Sequence, residues 1–155
     1  NLAYAACCEQ MGRLAWAPLV FNCQAPDVPN MITLQACATP QQQAQWLQPL
    51  LEATTRSCFG MTEPAVASAD ATNIETRITR EGDEYVIHGR KWFSTGAAHP
   101  DCTQIMLMGL TDTHAERTRR HSVVMVPMHT PGVRLVRELR WMWMSSWLHA
   151  WLKVT

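Results

Sequence analysis

The hydrophobic period of this chain changes once, near residue 55, and that change limits the folds open to it. Up to Thr54 the apolar residues recur at helical spacing; from Ser57 they alternate or gather in short β-rich runs. Helices first and strands afterwards predict an α+β chain, its helices segregated from an antiparallel sheet or barrel.

Within residues 1–54, Leu2 to Met11 is Ala-rich and closed by Gly12, a C-terminal cap. Pro18, Pro26 and Pro29 break the next stretch, and Asn30 opens a short helix through about Ala38. The third start is the best defined. Thr39-Pro40-Gln41-Gln42 offers an N-cap, a proline at the first helical position and the glutamine of a capping box. Behind it Ala44, Leu47 and Leu51, flanked by Trp46 and Leu50, predict one apolar face.

In the second half Ile74–Ile78 and Tyr85–His88 flank a Gly82-Asp83 turn, a hairpin signal because glycine supplies the positive φ such turns need. Further strands are predicted at Gln104–Met108, Ser122–Val126 and Val133–Val136, with the charged span Thr111–His121 as a solvated connection.

The 155 residues carry 13 Lys and Arg against 13 Asp and Glu, which argues against a nucleic-acid partner. No apolar stretch approaches the roughly 20 residues of a membrane span. The six cysteines contain no C-x-x-C and no Cys–His ligand pair, so they read as reduced, mostly buried small hydrophobes and not as a metal site. P-loop, G-x-G-x-x-G, H-E-x-x-H and G-x-S-x-G patterns are all missing.

Two small-residue segments bracket the hairpin: Phe59-Gly60-Met61-Thr62-Glu63-Pro64-Ala65-Val66-Ala67-Ser68-Ala69-Asp70 and Gly89-Arg90-Lys91-Trp92-Phe93-Ser94-Thr95-Gly96-Ala97. Each sets hydroxyls and backbone N–H groups beside aromatics, which suits a flat amphipathic heterocycle. Loops flanking a hairpin are also often no more than turns.

These segments resemble the acyl-CoA dehydrogenase family, flavoenzymes that introduce an α,β double bond into an acyl-CoA thioester. CFGMTEPAVASADATNIET is similar to the family's first flavin segment and GDEYVIHGRKWFSTGAAHP to its second. The phrase TEP-x-VAS-x-DATNI points to the long-chain branch, and the likeness covers roughly residues 4–139. It implies the end of an N-terminal helical domain at 1–54, a flavin-binding middle β-domain of antiparallel, barrel-like form at 55–139, and an unmatched tail at 140–155.

The resemblance also implies residue roles. Phe59, Met61 and Thr62 would line FAD, with main-chain groups near Met61 and Thr62 at the pyrimidine edge of the isoalloxazine. Ser68 would sit where the cofactor pyrophosphate and the acyl-CoA substrate come close. Phe93 takes the place of an aromatic that covers one flavin face, and Ser94 and Thr95 follow, the Thr95 hydroxyl near N5. Glu63 is assigned to shaping the turn with Pro64, not to catalysis. Ala67, Ala69 and Phe93 depart from the family's usual residues.

The family's catalytic carboxylate and second helical unit lie C-terminal to the β-domain, so none of its catalytic residues and no metal ligand is assigned here. The implied partners of the intact enzyme are acyl-CoA, an electron-transferring flavoprotein and further copies of itself. The implied setting is fatty-acid β-oxidation, in a bacterial cytoplasm or, in a eukaryote, a mitochondrion or peroxisome.

The chain opens on Asn1 with no signal-peptide pattern and reads as processed or as a piece of something longer. Four of seven Trp fall in RWMWMSSWLHAWLKVT, where Trp143, Trp147 and Trp151, four apart, allow a short amphipathic helix. The abrupt loss of likeness after Leu139 also fits a changed reading frame. On that alternative the chain is a truncated, inactive product acting at most as an interaction fragment.

Overall fold

The structure is a computed structural model that describes residues 2–139 and 149–154. Helices α1 (Leu2–Met11), α2 (Ala17–Val20) and α3 (Asp27–Cys37) lead to a composite helix: α4 (Pro40–Gln42), a π turn (Gln43–Leu47) and α5 (Gln48–Leu51). Seven strands follow: β1 (Arg56–Gly60), β2 (Arg77–Glu81), β3 (Glu84–Thr95), β4 (Cys102–Leu110), β5 (His121–Pro127), β6 (Arg134–Leu139) and β7 (His149–Val154). The α+β order read from the sequence is the order observed. No described helix is long and apolar enough to cross a membrane.

The capping box forms as predicted. The Thr39 hydroxyl accepts from the Gln42 amide at 3.3 Å, and the Gln42 side chain accepts from the Thr39 amide at 2.9 Å. The face behind it differs from the prediction. The π turn rotates the helix, so Leu47 and Leu50 are buried while Ala44 and Leu51 are exposed. Helix α3 begins at Asp27, three residues before the predicted start, because Pro29 falls in a first turn whose N–H groups have no intrahelical partner anyway. The expectation of mostly buried cysteines fails: only Cys58 and Cys102 are buried, and Cys7, Cys8 and Cys37 are exposed on helices that nothing described covers on that side.

The β2–β3 hairpin closes on Gly82 at φ +64°, the positive φ the turn requires. Strand β3 then turns a corner. Its first half, to His88, pairs with β2, and its second half, from Gly89, pairs with β7, which in turn pairs with β6. The corner fits tightly, since a Cβ on Gly89 would run into the Thr76 side chain. Strand β4 pairs antiparallel with β5 but parallel with β1, a departure from the all-antiparallel expectation that the long connection 61–101 makes possible.

The sheet curls around Cys58, Ile78, Ile105, Leu107, Val126, Leu152 and Val154. On its outer face Met106, Phe59 and Met125 meet Leu34, Leu47 and Leu50 from the helices. Cover on both faces explains why Ile105-Met106-Leu107 is an unbroken apolar run. A buried polar joint holds the two layers in register. Asp27 Oδ1 accepts from the Ser57 amide (2.8 Å) and hydroxyl (2.7 Å), while Asn30, one turn on, donates to the same hydroxyl at 2.9 Å.

The Trp spacing allowed a helix in the tail. Residues His149–Val154 instead form a strand between β3 and β6, with Leu152 and Val154 buried; Trp141, Trp143 and Trp147 lie outside the described residues.

Candidate functional site

Alternation in β1 sends Cys58 and Gly60 inward and Phe59 outward to the helices. Gly60 has little room behind it: an added Cβ would lie 3.4 Å from both Ile105 Cγ2 and Lys91 Cγ. Beyond Gly60 the chain leaves the sheet, and Met61 and Thr62 are half-buried. Their carbonyls are both held by β3. Met61 O accepts from Lys91 Nζ at 2.9 Å, and Thr62 O accepts from the Trp92 amide at 3.0 Å.

Glu63 organises the turn that follows. Its Oε1 accepts from Lys91 Nζ (2.8 Å) and the Thr76 amide (2.8 Å), and its Oε2 from the Glu75 amide (2.9 Å). Burial pushes the Glu63 carboxyl up, but the hydrogen bonds from Lys91, Thr76 and the Glu75 amide, with the Lys91 charge, more than offset this and hold it below its usual range. Burial likewise draws the Lys91 ammonium down, against the restoring pull of Glu63. Ser68 is buried, its hydroxyl accepting from the Glu63 amide at 2.7 Å and donating to the Glu63 carbonyl at 3.2 Å. Its observed partner is therefore the turn itself.

The second segment is shaped by a bulge. The pairs Lys91–Leu152 and Ser94–Ala150 bracket one more residue on β3 than on β7. Lys91 and Ser94 both point inward with no exposed surface, and Phe93, between them, is thrown outward at φ +52° and is about half exposed. Its ring lies 4.6 Å from that of Trp92, tilted by 46°. Ser94 Oγ and Trp92 Nε1 are buried with no hydrogen-bond partner among the described residues.

Phe59, Met61 and Thr62 thus sit on one side of a seam and Phe93, Ser94 and Thr95 on the other, joined by the bonds from Lys91 and Trp92. Ser68 is tied to this seam through Glu63. The sequence pattern assigns no site role to Lys91 within the second segment, to Asn30 beyond a helix start, or to Asp27. A lysine in phase with inward residues of a strand was the one available signal for the first; nothing local marked the other two. Among the described residues no cluster of His, Cys, Asp or Glu could hold a metal ion.

The sequence profile described as acyl-CoA dehydrogenase, middle domain, matches residues 58–149. The chain belongs to the acyl-CoA dehydrogenase family. Acyl-CoA dehydrogenase family member 11 of Gallus gallus is 52% identical over 140 residues, 90% of this chain and 18% of the relative. A Mycobacterium abscessus protein assigned as an acyl-CoA dehydrogenase superposes at TM-score 0.93 and 52% identity, covering 97% of this chain and 38% of its own. A glutaryl-CoA dehydrogenase of Mycobacterium smegmatis, solved in complex with FADH2, shares the fold at TM-score 0.69 and 23% identity, over 81% of this chain and 30% of its own. The chain therefore spans well under half of these relatives. For an acyl-CoA dehydrogenase chain, FAD fits the residues present: an outward aromatic beside a peptide turn, with the neighbouring Trp92 Nε1 buried and unpartnered among the described residues.

Proposed function

We propose that this chain forms the flavin-facing part of an acyl-CoA dehydrogenase, which oxidises an acyl-CoA thioester at its α,β carbons. The observation that carries this reading is the bulge that turns Phe93 outward beside the seam of Met61 and Thr62. FAD, when bound, supplies the two-electron acceptor for the oxidation. Phe93 offers a stacking surface, and a backbone locked by β3–β7 pairing keeps that surface oriented. Phe59 is packed against the helices and fixes the direction in which β1 enters the turn. Met61 and Thr62, their carbonyls engaged by β3, leave amide N–H groups for the pyrimidine edge. Thr95 supplies a hydroxyl on the same strand, while Ser94, turned inward with no exposed surface, backs the bulge. Ser68 orders the turn that an incoming acyl-CoA and the cofactor pyrophosphate would approach.

The base that takes the α-proton belongs to a part of the enzyme outside this chain, in keeping with the 38% share of the Mycobacterium abscessus protein that it spans. The same reading makes an electron-transferring flavoprotein the electron acceptor and the intact enzyme a homo-oligomer. Its compartment is a bacterial cytoplasm, or a mitochondrion or peroxisome.

Titrating the purified chain with FAD tests the reading. Quenching of Trp fluorescence and co-elution of the flavin band are expected, and Phe93→Ala should weaken uptake about tenfold. Failure to take up FAD would overturn the flavin reading. Anaerobic addition of an acyl-CoA should leave the band unbleached; bleaching would place a competent base within this chain.

A further inference from the structure

Lys91 is an expensive way to hold a turn. Its stem passes beneath Gly60, its side chain has no exposed surface, and its ammonium lies between Met61 O at 2.9 Å and Glu63 Oε1 at 2.8 Å. A neutral donor would satisfy the Met61 carbonyl equally well; the charge is matched to Glu63, and through the shared ammonium it also acts on Met61 O. The Met61 carbonyl and the Thr62 N–H are the two ends of one planar peptide and point in opposite directions. A cationic donor on the oxygen polarises that unit and makes the N–H at its far end a stronger donor. Glu63 shares its own charge with the amides of Glu75 and Thr76 as well as with Lys91.

We infer that Lys91 is a positioning residue that acts through the Met61–Thr62 peptide to favour the reduced over the oxidised flavin. The inference rests on the reading that the Thr62 amide meets the flavin's pyrimidine edge. That edge gathers negative charge when the flavin is reduced, so a stronger donor there binds the reduced form selectively.

The test is the midpoint potential of FAD bound to the purified chain, in wild type, Lys91→Arg and the double variant Lys91→Met/Glu63→Gln. The double variant removes both charges together, leaving no buried ion unpaired. Its preference for reduced over oxidised FAD should fall about tenfold, a potential about 30 mV lower for the two-electron couple, with oxidised FAD still bound. Lys91→Arg keeps a cationic donor and should retain the wild-type potential. Equal potentials in wild type and double variant would overturn the inference while leaving the flavin reading intact. A double variant that fails to fold, or that folds and loses oxidised FAD, would overturn it too, since Lys91 would then serve the fold or binding in general. A wild-type chain that takes up no FAD would overturn the flavin reading instead.

Discussion

Lys91 and Phe93 both occupy positions that cost free energy for their residue type. The Lys91–Glu63 pair is stable only as a pair. Glu63→Gln leaves a buried cation uncompensated and should cost about 3 kcal/mol in urea unfolding at neutral pH. The pair also sets an acid limit. The Glu63 carboxyl in the fold lies below its ordinary 4.5, so the stability it contributes is present above that value and is lost as pH falls through the folded value. Wild type should therefore lose stability more steeply than Glu63→Gln as pH falls below 4.5, as read from urea midpoints. Lys91 has the opposite sign of linkage. Its folded value lies below 10.5, the unfolded chain binds more protons in that window, and this term raises stability as pH rises through it. Phe93 differs in kind, because its strain is in the backbone. Phe93→Gly relieves a positive φ worth about 1–3 kcal/mol and gives up a ring contact of about 1 kcal/mol. Its melting temperature should stay near wild type while FAD uptake falls. A large drop in melting temperature would show that the ring serves the fold.

Among the elements, the joint between α3 and β1 carries a prediction of the same size. Asp27→Ala leaves the Ser57 amide without its buried acceptor and removes one partner of the Ser57 hydroxyl; it should cost about 3 kcal/mol by chemical denaturation. What the sequence could reveal follows from range. The capping box at Thr39 and the Gly82 turn involve residues at most three apart, and both were legible. The helix face behind Thr39 was misread because one π turn shifts every later side chain, and no local pattern announces it. Asp27 reaches Ser57 across 30 positions, so neither residue alone betrays the joint. In the candidate site the segments containing Met61 and Phe93 were legible as motifs, whereas their linkage through Lys91 depends on the phase of a bulged strand. Strand β7 was hidden for a related reason: Trp four apart suits a helix, and only its neighbours β3 and β6 decide otherwise.

Taken as a whole, the molecule shows unfinished surfaces. Helix α1 has no buried residue, and Leu14, Trp16, Val20 and Phe21 are exposed around an apolar cleft of about 830 Å³ beside it. Large apolar side chains gathered in one place favour association over exposure to water. The purified chain should self-associate at micromolar concentration, detected by light scattering; a monodisperse monomer would contradict this. The position of β7 has a further consequence, in time. The ribosome delivers β3 and β6 before the strand that belongs between them, so the bulged half of β3 must wait as an open edge until residues 149–154 emerge. During that interval the nascent chain offers this strand edge to any β-prone neighbour, an exposure that ends when β7 pairs with it.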